Sequence, residues 1–331
     1  MIRLVQFQDQ SGKRCAGISS DDGRTVARIG GFERVYDMVR YALPRHEKLE
    51  NVAHSHISED SYDYQALISE RRLLAPIDHP DAARCLVSLT GLTHLGSAKS
   101  RNEMHTAASA GAATDSMRMF QIGVQGGRPP LGEIGAQPEW AYKGDGRSIV
   151  APEHPLTQPA FADDGGEEAE IAGVYVIDDQ GSPVRVGFAA GNEFSDHTLE
   201  KKNYLYLAHS KLRQCSFGPE LFVGDLPPTV TGTIRIVRDG KSIWSSTFDG
   251  GEANMSHSIA NLEHHHFKYE IFRRPGDLHV HFFGANGVSF AANVRAQDGD
   301  VFEFHVPLFG RALRNPLKVL VEQLLIQVRS I

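Results

Sequence analysis

The sequence is poor in cysteine. Among its 331 residues there are three cysteines, Cys15, Cys85 and Cys215, which are far apart and form no CxxC pair. A disulfide framework needs an even set of cysteines, and zinc knuckles need closely spaced ones. The sequence therefore predicts neither disulfides nor a structural zinc site.

Clusters of positive charge and long apolar runs are missing as well. The formal net charge is −7, and no stretch gathers five or six lysines and arginines, as the binding of phosphate backbones or anionic lipids would require. No segment approaches the ~18 apolar residues of a membrane span, and the N-terminal MIRLVQFQDQSGKR lacks the apolar region of a signal peptide. We expect no nucleic-acid partner, no membrane partner and a cytoplasmic location.

Nucleotide-binding and serine-hydrolase motifs are also absent. KGDGRS lacks the third glycine of a dinucleotide fingerprint, and neither GxxxxGK(S/T) nor GxSxG occurs. Chemistry based on nicotinamide, ATP or a serine nucleophile is therefore not indicated.

The N-terminal part of the sequence combines strand patterns with helix patterns. The composition of the whole chain, with 41% hydrophobic and 23% charged residues, is that of a globular protein with a real core. The apolar runs IRLVQF and RTVARI precede the helical patterns ERVYDMVRYAL and YDYQALISERRLL. We expect a small N-terminal α/β domain over residues 1–78.

The remainder, residues 79–331, is rich in short strand-like runs separated by Gly, Pro and Asp. These runs are RCLVSL, AGVYVI, VRVGFAA, TGTIRIV, LHVHFF and VFEFHVP. Their spacing favours an α+β, β-rich domain with few helices. Two helical patterns stand out in it, MSHSIANLEHHHFKYEIF and LKVLVEQLLIQVR.

Acidic residues crowd the start of the most strand-like run, GGEEAEIAGVYVIDD. If residues 168–176 form a strand, Glu168 and Glu170 share a face with α-carbons about 6.5–7 Å apart, and Glu167 lies on the opposite face. Two such carboxylates can reach one hard cation at about 2.1 Å, and the cation would remove their repulsion. The alternative is a solvated strand end without a ligand.

A third carboxylate follows the next predicted strand. VRVGFAAGNEFSDH carries Glu193, about one hairpin length further along the chain, so that Glu193 can return to the start of the first strand. Three carboxylates without a nearby cysteine, or a histidine at ligand spacing, favour Mg²⁺, Mn²⁺ or Ca²⁺ over Zn²⁺. Mg²⁺ is the expected cofactor.

Five segments together resemble the fumarylacetoacetate hydrolase superfamily. They are GEEAEIAGVYV, GFAAGNEFSDH, SFGPELFVGD, RRPGDLHVHFFGANGV and QDGDVFEFHVPLFGRALRNPL. The last is similar to the family's PGDVVEVEIEGLGTLRNP. The resemblance implies a mixed β-sandwich and β-roll catalytic core over residues 79–331, a divalent metal held by Glu168, Glu170 and Glu193, and a homodimer or higher homo-oligomer.

The chain departs from the family pattern at three places. Glu193 stands where relatives use Asp, one methylene shorter, in NDVSARD. Ser97 falls on or near the position of the family's water-activating histidine, within TGLTHLGSAKSRNEMH. FGAN replaces the family's TGTP substrate loop. Ala285 and Asn286 of this loop are therefore assigned to substrate binding, and so is Ser97.

Two lysines are implied by the same resemblance. Lys143, in PEWAYKGDGRSIVAP, stands in the family segment whose lysine lines the active site, where it would bind a carboxylate or carry a proton. It is the first candidate catalytic residue, and the alternative is a loop lysine in solvent. Lys211, in AHSKLRQCSFGP, lies at or one residue from another family lysine and is assigned to substrate binding.

Residues 93–105 are polar and small, as in a mobile lid. Arg101 and Asn102 are candidates for holding a substrate carboxylate or hydroxyl, and Glu103 with His105 for catalytic acid–base work. The alternative is a solvated helix face.

The histidine-rich segment EHHHF has the composition of a metal-binding motif. Consecutive helical side chains point about 100° apart, so His264, His265 and His266 cannot chelate one ion together. We interpret them as packing, capping and subunit contacts. His279 and His281 share a strand face, which leaves a second metal site as an alternative.

A 2-oxo acid is the expected substrate. An ion with three protein carboxylates keeps about three coordination positions, of which a 2-oxo acid fills two, and the ion stabilises the enolate formed when a C3 proton leaves. The resemblance points to a sugar-acid catabolism subgroup that dehydrates 2-keto-3-deoxy-D-pentonate to 2-oxoglutarate semialdehyde. Hydrolysis of a 2,4-dioxo acid and a non-catalytic metal- or ligand-binding protein remain alternatives.

Overall fold

Two β-sheets form the framework of the chain. The computed structural model describes residues 1–96, 115–285 and 287–331. Its strands are β1 (Ile2–Gln8), β2 (Arg14–Ser19), β3 (Thr25–Ile29), β4 (Ile57–Asp63), β5 (Cys85–Leu89), β6 (Ala141–Asp145), β7 (Leu156–Gln158), β8 (Ala169–Ile177), β9 (Pro183–Asn192), β10 (Ser216–Phe217), β11 (Leu221–Val223), β12 (Val230–Arg238), β13 (Lys241–Gly250), β14 (Leu278–Phe282), β15 (Val301–His305) and β16 (Leu313–Val319).

The larger sheet contains strands from both sides of the predicted domain boundary. Within the described ranges it has 11 strands, ordered β4-β3-β2-β1-β11-β9-β8-β14-β5-β6, with β10 beside β9. The smaller sheet has five, ordered β13-β12-β15-β16-β7. β1 pairs antiparallel with β11, where Ile2 lies opposite Val223 and Leu4 opposite Leu221. The division into residues 1–78 and 79–331 stays a prediction.

The α-helices are short. In the described residues they are α1 (Val35–Ala42), α2 (Leu49–Ser55), α3 (Tyr64–Ser69), α4 (Asp115–Gly126), α5 (His197–Lys202), α6 (Leu207–Lys211) and α7 (Ile259–Phe267). The pattern ERVYDMVRYAL forms α1 as predicted, because Val35, Met38 and Val39 are buried together. The α+β, β-rich fold class is confirmed. No helix among the described residues has both the length and the apolar character to cross a membrane.

Strand β8 is the centre of the core because both of its faces are buried. On one face, Ala172, Val174 and Val176 pack with apolar residues of α1 and α2. On the other, Ile171 and Tyr175 pack with the smaller sheet and α7. Each fully buried aliphatic side chain contributes about 1.5–3 kcal/mol. The strand that carries the acidic residues is therefore held between two apolar layers.

The predicted C-terminal helix is wrong. Strand β16 takes the first three residues of LKVLVEQLLIQVR and pairs with β15 and β7. Residues 320–331 form no helix or strand, and Val321 and Ile326 are 89% and 80% exposed. A short helical pattern forms a stable helix only where its apolar face can pack against a surface, and this segment is exposed throughout.

Other elements are not apparent from the sequence pattern. Helix α4 lies in a stretch that reads as polar and small, and the mostly exposed β4 is held by its pairing with β3. The pattern YDYQALISERRLL gives only the short helix α3, which begins after Asp63 because that side chain accepts a hydrogen bond from the Ala66 N–H at 3.0 Å.

Candidate metal centre

The three predicted carboxylates meet at one end of the β8–β9 hairpin. Glu168 directly precedes β8, Glu170 is the second residue of β8, and Glu193 directly follows β9. The Glu193 N–H donates to the Glu168 carbonyl at 2.9 Å. One carboxylate oxygen from each residue lies within 4.8 Å of the others, and all three residues are buried. The structure brings together the predicted residues, which we call the glutamate trio.

Glu167 lies outside this trio, as the alternation along a strand predicted. Its carboxylate accepts hydrogen bonds from Ser289 N at 2.6 Å and from Ser289 Oγ at 2.8 Å. Glu167 therefore anchors the loop that follows β14.

Lys143 reaches the trio from strand β6, where it is buried rather than exposed in a loop. Its Nζ lies 2.5 Å from Glu193 Oε1. It also donates to the carbonyls of Phe194 and Lys211, each at 2.9 Å. Lys143 is held by one ion pair and two hydrogen bonds to backbone carbonyls. Lys143 thus holds Glu193 in a defined position.

Lys211 bridges two members of the trio. Its Nζ pairs closely with Glu168 Oε1 and lies 3.0 Å from Glu193 Oε2. Burial alone would lower the pKa of Lys211, but the negative charges of Glu168, Glu193 and Glu200 raise it well above its ordinary value. Lys211 is therefore a fixed positive charge beside the trio.

Glu170 is the member of the trio with the least compensation. Burial, and then the negative charges of Glu193 and Glu168, raise the pKa of Glu170 well above its usual range. The Gly284 N–H donates to Glu170 Oε2 at 2.7 Å and opposes this rise. A divalent cation would offset the same repulsion, and an all-carboxylate donor set suits a hard ion such as Mg²⁺. The residues present fit the predicted metal.

His197 contacts the trio from the start of α5 and was not predicted from the sequence. Its Nε2 lies 3.1 Å from Glu168 Oε1, and its Nδ1 lies 3.8 Å from Asp164 Oδ2. Burial alone would lower the pKa of His197, but the carboxylates of Asp164 and Glu168 raise it to about 10. The available signal was the position of His197 in NEFSDH, four residues after Glu193, so the expectation that no histidine lies at ligand spacing from the carboxylates was wrong.

The predicted substrate-binding residues are described only in part. Ala285 follows Gly284, whose N–H donates a hydrogen bond to Glu170 Oε2. Gly284 has φ +104°, a conformation that favours glycine and directs this N–H. The roles of Ala285, Lys143 and Lys211 stay predictions. The remaining predicted residues lie outside the described ranges: Ser97, Arg101, Asn102, Glu103, His105 and Asn286.

The histidines of EHHHF pack as separate side chains, as expected for a helix. His265 Nε2 contacts the Gly135 carbonyl at 3.0 Å, and His266 Nε2 contacts His279 Nδ1 at 3.0 Å. His281 Nδ1 contacts Ser88 Oγ at 2.8 Å. In the described residues, the glutamate trio is the only group of three or more His, Cys, Asp or Glu side chains placed to share an ion.

Mild acid is expected to destabilise the fold through His281. Burial lowers its pKa to about 3, while the unfolded chain has a histidine pKa of about 6.5. Between these values the unfolded state binds more protons, so stability falls as pH falls below 6.5 and stops falling below the folded pKa. At pH 5 this one histidine lowers the free energy of unfolding by about 2 kcal/mol.

Urea unfolding at pH 7 and pH 5 tests this expectation. His281→Gln should lose about 2 kcal/mol less than the unchanged protein between the two pH values. The exposed His54→Gln is the control and should behave like the unchanged protein. An equal loss in all three proteins would contradict the assignment to His281, whose neighbours include His266, His279 and Ser88.

Solved structures with this architecture include a dehydratase and two isomerases. One, described as 2-keto-3-deoxy-D-arabinonate dehydratase complexed with magnesium and 2,5-dioxopentanoate, is 20% identical over 97% of this chain and 99% of that chain, with a TM-score of 0.69. A 2-hydroxyhepta-2,4-diene-1,7-dioate isomerase from Mycobacterium marinum is 17% identical over 96% and 99%, with a TM-score of 0.58. A 5-carboxymethyl-2-hydroxymuconate delta-isomerase from Mycobacterium smegmatis is 19% identical over 96% and 99%, with a TM-score of 0.57.

These likenesses are found in structure rather than in sequence. No protein-family model and no curated protein matches the chain. The matched structures nevertheless cover nearly all of both chains. The chain therefore has the fold of these dehydratase and isomerase structures, which is the fold expected from its resemblance to the fumarylacetoacetate hydrolase superfamily.

Proposed function

We propose that the protein is a member of the fumarylacetoacetate hydrolase superfamily and a metal-dependent hydro-lyase. It dehydrates a 2-keto-3-deoxy sugar acid, 2-keto-3-deoxy-D-pentonate, to 2-oxoglutarate semialdehyde. The observation that carries the proposal is the buried glutamate trio between two buried lysines. It is supported by the shared fold with a dehydratase whose structure contains magnesium and 2,5-dioxopentanoate, which is the same semialdehyde.

Glu168, Glu170 and Glu193 would hold the metal, which we propose to be Mg²⁺. When bound, the ion supplies Lewis-acid polarisation of the substrate's keto and carboxylate oxygens. The chain's contribution is to keep three carboxylates together before substrate arrives. Such preorganisation is a major source of catalysis because no rearrangement is needed during the reaction.

The two lysines maintain this arrangement. Lys143 holds Glu193 through a contact of 2.5 Å, and Lys211 links Glu193 to Glu168. In the proposal, the positive charge of Lys143 also balances negative charge that develops on the substrate. Alternatively, Lys143 moves the C3 proton, although its Nζ already makes one ion pair and two backbone hydrogen bonds.

The dehydration needs an acid and a base. The C3 proton and the C4 hydroxyl leave together as water, and tautomerisation of the product then gives the aldehyde at C5. The proposal assigns these proton transfers to Glu103 and His105, and the grip on the substrate's hydroxylated end to Arg101, Asn102 and Ser97. A homodimer and a cytoplasmic location complete the proposal.

Product analysis tests the proposed reaction. Incubation with Mg²⁺ and 2-keto-3-deoxy-D-arabinonate should give 2,5-dioxopentanoate, detected by NMR or by a coupled aldehyde dehydrogenase. Removal of the metal with EDTA should lower the rate by at least about a hundredfold, because Lewis-acid stabilisation contributes several kcal/mol, and added Mg²⁺ should restore it.

The alternatives predict other products. If the protein converts an acylpyruvate to pyruvate and a carboxylic acid and does not react with the sugar acid, the protein is a hydrolase and the dehydratase proposal is wrong. No turnover of either substrate, with Mg²⁺ binding intact, would support a non-catalytic binding protein and contradict both enzyme proposals.

A further inference from the structure

The ring of His197 occupies a space formed by distant parts of the chain. The ring lies next to Gly166, and its centroid is 5.3 Å from that of the Phe290 ring. Nε2 faces Glu168 Oε1 at 3.1 Å, and Nδ1 faces Asp164 Oδ2 at 3.8 Å. The ring is therefore placed between a trio carboxylate and a second carboxylate outside the trio.

The chemistry of the two groups determines which of them donates the hydrogen bond. An ionised carboxylate oxygen can only accept, so His197 Nε2 is the donor to Glu168 Oε1. Lys211 Nζ donates to this same oxygen. Both donors therefore fall on Oε1, which restrains the rotation of the Glu168 carboxylate. Donors of this kind typically orient metal ligands in proteins.

Gly166 provides the space for this ring. A Cβ atom on Gly166 would lie 2.5 Å from His197 Nδ1 and 2.6 Å from Cε1, closer than real contacts allow. The backbone of Gly166 is itself fixed by two hydrogen bonds of 3.0 Å with Ser195. A larger residue at position 166 would displace the ring rather than the backbone. This accounts for the second glycine of GGEEAE.

We propose that His197 is a positioning residue that orients Glu168 for metal binding, and that Gly166 is required for its placement. The inference rests on the metal site of the proposed function and extends it to two residues outside the trio. His197 acts through Glu168 and does not touch the metal or the substrate.

Calorimetric titration with Mn²⁺ tests the proposal on the full chain without an activity assay. His197→Leu removes the donor and should weaken Mn²⁺ binding about 10–100-fold, as typical for loss of such a hydrogen bond. His197→Gln keeps an N–H donor and should stay within about threefold of the unchanged protein. Gly166→Ala, which removes no polar group, should weaken binding about tenfold.

A matched control separates positioning from general stability. His79→Leu replaces another buried histidine, which contacts the Asp81 carbonyl, and should leave Mn²⁺ affinity unchanged even if the melting temperature falls. Unchanged affinity in folded His197→Leu would overturn the proposal while the metal site stands. Equal weakening in His197→Leu and His197→Gln would overturn the donor role. No Mn²⁺ binding by the unchanged protein would overturn both the metal site and this inference.

Discussion

Glu170→Gln is expected to abolish divalent-metal binding and to lower turnover about a thousandfold or more, since Lewis-acid stabilisation contributes several kcal/mol. Glu170 is buried and lies close to the negative charges of Glu193 and Glu168. The Gly284 N–H can still bond to the amide oxygen of the glutamine, so the loop after β14 should keep its position. Without metal, the variant should melt at a higher temperature than the unchanged protein, because a buried like-charge repulsion is removed.

The combination of lost binding and retained or increased stability distinguishes a metal ligand from a structural residue. Mn²⁺ titration gives the affinity, and thermal unfolding in EDTA gives the stability. Glu167→Gln is the matched control, since it makes the same charge change in the same segment on the opposite face. Metal affinity retained in Glu170→Gln, or lost equally in Glu167→Gln, would contradict the assignment of the trio.

Glu220→Ala is expected to lower the free energy of unfolding by about 3–5 kcal/mol, the cost of removing one partner of a buried ion pair. Glu220 is fully buried and lies 2.9 Å from Arg3 Nε. It also accepts hydrogen bonds from Ser19 Oγ at 2.6 Å and from the Arg311 N–H at 2.9 Å. One carboxylate thus joins β1 and β2 to the segment before β11 and to the loop before β16.

Urea unfolding measures this loss. Ser19→Ala, which removes one neutral donor, should cost only about 1 kcal/mol. In a double-mutant cycle, Arg3→Met should cost less in the Glu220→Ala background than alone, because their interaction is already lost. If Glu220→Ala lowers the free energy of unfolding by less than about 1 kcal/mol, water takes the place of the missing carboxylate and the ion pair contributes little to stability.

The grouping of the glutamate trio was predictable from local strand geometry. A strand with period two places Glu168 and Glu170 on one face and Glu167 on the other, and the length of a hairpin returns Glu193 to them. The structure shows both features. Lys143 and Lys211 were predicted only from family resemblance, because nothing in their local sequence indicates that they are buried.

The missed residues are those whose partners are distant in the chain. His197 reads as a solvated histidine at the start of a polar helix, and its contact with Glu168 spans 29 residues. The bond between Ser19 and Glu220 spans 201 residues. No periodic pattern in either segment contains information about the other.

The β-rich class, the alternation that places two glutamates on one face and the exclusion of cysteine-based sites all follow from the amino-acid sequence alone. These depend on composition and on contacts between near neighbours in the chain. Only the tertiary contacts establish that LKVLVEQLLIQVR begins in strand β16 and then forms no helix or strand, that Gly166 makes room for His197, and that Glu220 joins three segments. The physical reason is that burial and ion pairing depend on which surfaces meet, and that is settled only when the sheets assemble.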